Sequence, residues 1–487
     1  MAQVRHFRWA AILFSVTLLA VFGLVIPRGV GAAGPPASAA DVTFSKDIAP
    51  ILQRSCQNCH RPDGVAPMSL ITYQDVRPWA RAMKLRTGLR DKPGTMPPWY
   101  IEKNIGIQYY KNDPSLSDEE VAKIAKWADS GARQGNPADM PPPRQFPSGD
   151  VWTIDTPDLI LDTPDVVVTA TQPDWWGELG PSIPTGLTED RYVSAVEIKE
   201  INDMKSGETA GRQTVGGRFV IHHMTYSVGA QGATRVTGAG GPTGFLPHEV
   251  GRNADIFADN AGRLMKSGSY INISSVHLHS NGRDTKAHLR FGFKFHPKEY
   301  QPALRKLSPS RSLGNGMDFD IRGMEPGQLL HSYSVLQDHT RIVSFEPHLH
   351  APGVRMCLEA IWGMNIQTLS CAGYDHNWVR VYEYETDYQP LLPKGTILHL
   401  IGYMDLSPAN KNVVDPRNWQ GGGNRSVANM FIDIGQGLAL TDDEFDQAMA
   451  ERRAKVGLNQ TDVAIGCPLC GLPPREKTLV TGSVLPQ

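Results

Sequence analysis

Cys56-Gln57-Asn58-Cys59-His60 is a Cys-x-x-Cys-His motif, and its spacing suits covalent attachment of a c-type haem. One helical turn presents both thiols to the two vinyl groups of a porphyrin, and His60, the next residue, reaches the iron from one side. A thioredoxin-like redox pair is the rival reading, but it needs a strand before the motif. Ser45–Ser55 instead carries the apolar spacing of a helix, at Ile48, Ile51 and Leu52. On the other face of the iron a thioether would raise the potential and suit electron transfer. Met96, in Thr95-Met96-Pro97-Pro98-Trp99, is expected there because prolines stiffen its loop. Met68 competes but lies very close to His60 in sequence, and Met83, on a helical stretch, reads as core.

The histidines are grouped. His222-His223-Met224, His277-Leu278-His279 and His348-Leu349-His350 each fall inside a stretch with strand character. A strand sends alternate side chains to one face, so His-x-His sets two imidazoles side by side, about 7 Å apart. Rings so spaced can chelate one ion through bonds of about 2 Å, and imidazole-rich sites suit Zn, Cu, Fe or Ni. One such pair alone reads as buried sheet histidines. Three groups between His222 and His350 argue for metal. His248, in Leu246-Pro247-His248-Glu249, is a candidate neighbour of such a site. His288, His296, His331, His339, His376 and His399 lack paired spacing and read as surface or core.

These residues need a scaffold, and 487 residues suggest about three domains. Arg5 and Arg8 precede an apolar run from Trp9 to Ile26, and Ala37-Ser38-Ala39-Ala40 follows. That order predicts an export leader over residues 1–39, cleaved after Ala39; the alternative is retention as a membrane anchor, since about 18 apolar residues just span a bilayer. The destination is then periplasmic or extracellular, where cysteines oxidise. With 48 Lys+Arg against 50 Asp+Glu, nothing points to nucleic acid, nor to a membrane beyond that anchor.

Residues 41–140 read as a small all-α unit. Its last helix opens on a capping box of Ser117 and Glu120, aligns Val121, Ile124 and Trp127, and stops at Gly131. The order of haem helix, Met loop and closing helix resembles the class I cytochrome c fold. A Pro-rich linker follows at 141–150. Beyond it, short alternating runs (218–227, 270–279, 289–295, 341–347 and 396–401) predict all-β antiparallel sandwiches. No Walker motif, His-Glu-x-x-His or Gly-x-Ser-x-Gly occurs, and the Gly-rich run 238–244 reads as a loop. Cys357 and Cys371 flank a hairpin and are expected to form a cross-strand disulfide. Cys467 and Cys470, in the tail 466–487, read as a small-loop disulfide, with a metal or redox pair as alternatives.

The ordered set His-His-Met, Val-His-x-His, His-x-His and Ser-x-x-x-Met, across residues 151–465, resembles the copper type II ascorbate-dependent monooxygenases. That family includes peptidylglycine α-hydroxylating monooxygenase and dopamine β-monooxygenase. The resemblance implies two successive antiparallel sandwich domains of jelly-roll type, here 151–305 and 306–465, with one copper ion in each. It implies an electron-transfer copper on His222, His223 and His277, with His279 in place of His277 as the nearest alternative. It also implies an oxygen-binding copper on His348, His350 and Met430. Taken alone, Met430 reads as core, since Ala428, Met430 and Ile432 alternate as in a strand; a soft thioether would nonetheless favour Cu(I).

The peptide-hydroxylating relatives carry an Arg for a substrate carboxylate two residues before their His-x-His, where this chain has Glu346. A peptide carboxylate is therefore a poor substrate here. The expected activity is hydroxylation of a C–H bond of an organic substrate with O2. Electrons would come from the haem c unit, itself fed by an upstream donor, by ascorbate or by another reductant. A non-catalytic copper-binding electron carrier, or an interaction module, is the alternative.

Overall fold

The computed structural model describes residues 42–62, 66, 68–146, 152–204, 218–232, 245, 247–251, 254–257, 261–301, 307–308, 321–417, 429–459 and 464–470. The expected leader, the Gly-rich run 238–244, part of the linker and the chain beyond 470 lie outside the described residues. Among the described residues, no helix is long and apolar enough to cross a membrane.

The N-terminal part is helical. A single wide turn, Phe44–Ile48, runs into α1 (Ala49–Ser55), and α2 (Ala80–Thr87) and α3 (Asp118–Asp129) follow. The Ser117 hydroxyl accepts from the Glu120 amide while the Glu120 carboxylate accepts from the Ser117 amide, so the expected capping box forms. Val121, Ile124 and Trp127 are buried, and the Phe44 ring lies 6.1 Å from that of Trp127. Gly131, at φ +90°, ends the helix as only glycine does without strain.

Residues 99–111 depart from the expected self-contained unit. Trp99, Tyr100, Ile101, Ile107 and Tyr110 belong to the core of the second β region. Ile101 bridges Ala372, Tyr110 bridges Tyr384, and Glu102 grips Arg355 with both oxygens. The helical part is fixed to that β region through buried surface, with the Pro-rich stretch as only one of its connections.

The first β region contains β1 (Trp175–Gly177), β2 (Arg191–Asn202), β3 (Ile221–Gly229), β4 (His248–Glu249), β5 (Tyr270–Leu278) and β6 (Thr285–Phe295). One sheet is built on the β2–β6 pair; the other runs β1-β5-β3-β4, all antiparallel. Their inner faces meet in a core that includes Val196, Ile198, Met224, Val276, Phe291 and Phe293.

The second region contains β7 (Gln328–Val335), β8 (Pro347–Leu349), β9 (Gly353–Trp362), β10 (Asn365–Gly373), β11 (Ile397–Met404) and β12 (Phe431–Asp433). A sheet of order β7-β11-β9-β10 and a second four-stranded sheet share one core, with Leu358 and Leu400 from one and Ile342 and Leu392 from the other. Cys357 stands directly opposite Cys371 and the two are bonded, as expected. The single strand expected over 341–347 is instead three short ones, His339–Ile342, Ser344–Phe345 and β8, each pairing elsewhere. Pro347 lacks an N–H and therefore begins a new strand. Helix α4 (Asp442–Val456) packs Phe445 and Ala448 over Leu391, Leu438 and Leu440, in a cluster that includes the Cys467–Cys470 disulfide.

Candidate metal centre

The three histidine groups converge on the seam between the two β regions. His277 pairs in register with His223 and Leu278 with Ile221, so β3 carries one extra residue there, His222. A bulge of this kind re-aims side chains, and consecutive histidines thereby serve different neighbours. The His222 ring lies 5.0 Å from His277, 5.1 Å from His279 and 5.3 Å from His376. The His223 ring lies 5.7 Å from His348, which is 5.4 Å from His350. The structure thus separates His223 from the ring group of His222 and His277 and sets it beside His348.

Outer partners fix the ring nitrogens. His277 Nε2 lies 3.3 Å from Asp174 Oδ2, and the ring stacks on Trp176 at 4.4 Å. His279 Nε2 donates to the Phe219 carbonyl at 2.9 Å, and His222 Nε2 donates to the His376 carbonyl at 3.1 Å. Each of these assignments leaves Nδ1 carrying the lone pair. In the other group, His223 Nδ1 hydrogen-bonds Glu249 Oε1 at 3.1 Å, which leaves its Nε2 for an ion, and His348 Nδ1 lies 2.8 Å from the same oxygen as an ion-pair contact without hydrogen-bond geometry. Carboxylates and carbonyls on the outer nitrogen are what metal-binding histidines characteristically have.

Met430 immediately precedes β12. The β8–β12 register pairs His348 with Ile432 and Leu349 with Phe431, and His350 and Met430 are the residues just beyond that last pair. Glu346 is fully buried, and its amide donates to Asp433 Oδ1. That position faces the core and is closed to a substrate of either charge.

Glu249, 1% exposed, is a buried carboxylate that touches two of the seven imidazoles, His223 and His348. Burial, then the neighbouring imidazoles, holds His222 and His350 well below the usual imidazole range and brings His376 to about 4. Burial pushes the Glu249 carboxyl up, but His348 and His223 outweigh it and hold it well below the carboxylate range. His222, His350 and His376 are therefore neutral at neutral pH, the form that binds metal. Nδ1 of His277, His348, His350 and His376 is buried without a hydrogen-bond partner. Each such atom costs about 1–3 kcal/mol unless something fills it, and a metal ion would do so. As the side chains stand, no three His, Cys, Asp or Glu groups among the described residues close on a common point. Occupancy therefore requires the rings to turn about χ2, a broad torsion.

The Cys-x-x-Cys-His motif lies in the helical part. Cys59 N and His60 N donate to the Cys56 carbonyl at 3.2 and 3.0 Å, winding the motif into one turn that follows a helix. His60 Nδ1 donates to the Met68 carbonyl at 3.2 Å, which leaves Nε2 for an iron; Met68 contacts the motif through its backbone. Cys56 and Cys59 are thiols while the other four cysteines are bonded, and burial first, then Cys59, pushes the Cys56 thiol up to about 12. A redox-reactive pair needs the opposite shift. Met96 lines a cavity of about 340 Å³ together with Trp99, Leu116 and Val121, and the motif residues do not border it.

Glu249, Asp174 and His376 were not legible as site residues. Glu249 follows the His248 singled out above, and His376 carries no paired spacing. Both arrive through contacts between distant strands and loops. Gly251 shows how tight the seam is. At φ +101°, a Cβ there would stand 2.7 Å from the Val379 carbonyl and 3.0 Å from the Trp378 indole, next to Val250, whose amide donates to the His222 carbonyl. Gly251→Val is expected to cost about 3 kcal/mol. Urea unfolding would measure it, and an unchanged midpoint would refute the close packing.

No protein-family model and no curated protein matches the chain. Among solved structures, the cowpea mosaic virus top component, a naturally occurring empty particle, is 8% identical with a TM-score of 0.28, over 59% of this chain and 92% of that one. Broad Bean Stain Virus is 9% identical with a TM-score of 0.30, over 61% and 95%. Similarity at this level carries neither fold nor function across.

Proposed function

We propose that this chain is an exported haem- and copper-containing monooxygenase that hydroxylates a C–H bond of an organic substrate with O2, its haem part supplying electrons. The observation that carries the reading is the seam, where imidazoles of three separate histidine groups meet with their outer nitrogens held by carboxylates and carbonyls. In this reading residues 41–140 are a cytochrome c unit, with Cys56 and Cys59 bonded to haem c and His60 and Met96 as axial ligands. His222 and His277, with His279, hold one copper, and His348, His350 and Met430 hold the other. His223 lies between the groups and serves the first only if it turns from Glu249. Bound copper would supply one-electron chemistry and the reduction of O2. The chain's own contribution is to exclude water, keep His222, His350 and His376 neutral, and orient the rings through their outer partners. The upstream reductant, ascorbate or another donor, meets the exported protein in the periplasm or outside the cell.

One observation favours a second reading, a non-catalytic carrier. His222, His277, His348 and His350 are nearly inaccessible and Glu346 is sealed in the core, as suits a site that only passes electrons. Metal and haem analysis with O2 uptake on reduction separates the two. Two copper ions per haem with uptake support the enzyme, copper without uptake under any reductant leaves the carrier, and absence of copper removes both. His350→Ala is expected to abolish uptake with the haem spectrum intact, and undiminished uptake would refute its assignment.

A further inference from the structure

Arg380 follows β10 in the second β region, yet its guanidinium reaches the segment that carries Met96. Its Cζ stands 5.4 Å from the centre of the Trp99 ring, three residues beyond Met96. Tyr382 fixes the same spot, because its ring meets Trp99 edge-on at 4.9 Å and its hydroxyl accepts from the Tyr100 amide at 3.3 Å. Arg380 Nε is buried without a hydrogen-bond partner, and among the described residues no carboxylate pairs with the guanidinium. Its charge is felt at the Cys-x-x-Cys-His motif, where burial raises the Cys59 thiol and Arg380, then Arg61, pull it back. The other arginines beside the motif are engaged. Arg54 donates to the Ser115 carbonyl at 3.1 Å and pairs with Glu120 at 2.7 Å. Arg61 donates to the Asn58 carbonyl at 3.3 Å and lies over the Phe146 ring. Arginine is seldom buried without a partner, and an unfilled buried donor costs free energy. Arg380 therefore lacks an anion.

We infer that Arg380 holds a carboxylate of the haem, so that the haem site of the helical part is completed by the second β region. The inference rests on the haem reading above and deepens it. Haem c carries two carboxylates at the edge of its macrocycle, and the planar guanidinium fork matches a carboxylate. The segment that supplies the arginine is held at both of its other contacts. Asp375 Oδ2 accepts from the Tyr100 hydroxyl at 3.0 Å and from the Gly94 amide at 3.3 Å, and the His376 carbonyl accepts from His222 Nε2 at 3.1 Å. Six residues, 375–380, thus touch the Met96 segment, the histidine seam and the surroundings of the motif. A cation at the macrocycle edge offsets carboxylate charge that otherwise favours ferric iron, so the seating of this β segment sets part of the haem potential.

The test uses the full chain with its haem attached. Arg380→Met keeps an unbranched stem against Trp99 and removes the charge, whereas Arg380→Lys keeps the charge and loses the fork. Spectroelectrochemistry of Arg380→Met should show the equilibrium moved about tenfold toward the ferric form, a fall of about 59 mV for one electron. Arg380→Lys should recover at least half of that shift. The propionate bending band of the resonance Raman spectrum should move in both variants, since lysine cannot reproduce the paired hydrogen bonds. A residue that only packs on Trp99 would change the melting temperature and leave potential and band in place. That result would overturn the role of Arg380 and leave the haem reading standing. Should Arg380→Met fail to retain haem, the band in Arg380→Lys decides, and an unmoved band overturns the assignment. An unsubstituted protein that carries no covalent haem would overturn both.

Discussion

Glu249→Gln is expected to weaken cupric binding at the seam by one to two orders of magnitude, although it exchanges one oxygen for an NH2 group of nearly the same size. The carboxylate accepts from His223 Nδ1 at 3.1 Å, and the same oxygen lies 2.8 Å from His348 Nδ1, so its charge favours on each ring the tautomer whose Nε2 lone pair is available. Glutamine offers one oxygen and one NH2 group. Both rings approach the same oxygen, Oε1, so glutamine sets either its uncharged carbonyl or its NH2 there; the first weakens the pull on both Nδ1 protons, and the second moves them to Nε2, the atom an ion would need. Loss of a charge-assisted hydrogen bond costs about 1.5–3 kcal/mol, and outer partners of metal-binding histidines typically matter by 10- to 100-fold in affinity. Chelator competition measures this directly. Wild-type affinity in Glu249→Gln would mean that the carboxylate does not orient the rings.

The elements legible in the sequence were those fixed by local chemistry. The helix opened by Ser117 and Glu120 forms as expected because the cap is made within four residues. The Cys357–Cys371 bridge forms because a hairpin sets the two residues opposite each other. What escaped was burial against distant partners. Ile101, Ile107 and Tyr110 have no helical or strand period of their own, and they are buried because the sheet around Ala372 and Tyr384 receives them.

The site divides along the same line. Paired spacing exposed His222, His223, His277, His279, His348 and His350, and the structure brings all six to one seam. Their grouping was not legible, because it depends on a single extra residue in β3 that turns His222 away from His223. Alternation along an ideal strand cannot reveal a bulge. Glu249 reaches the site by pairing opposite His223 in register, and His376 by a loop that crosses from the other β region. Both are long-range contacts between residues of unremarkable local spacing.

Metal-free protein is expected to lose stability steeply as pH falls from about 6.5 to about 4. His222, His350 and His376 all titrate below their ordinary range in the folded state, His376 at about 4, because burial and neighbouring imidazoles oppose the charge. In the unfolded chain they take up protons near 6.5. Below that pH the unfolded state binds more protons, so unfolding becomes easier with each step down until the folded imidazoles protonate as well. For His376 alone the full effect is about 3 kcal/mol, at 1.4 kcal/mol per unit. Glu200 acts in the opposite sense. Burial, only partly offset by bonds from Asn202, Ile221 and Val220, raises its carboxyl to about 7, so its cost grows as pH rises from about 4.5 and is complete above 7. Urea midpoints of the wild type and of His376→Gln at half-unit steps isolate the histidine term, since other carboxylates are common to both. The difference between them should shrink progressively below pH 6.5. A difference independent of pH would mean that His376 is not held neutral by its burial at the seam.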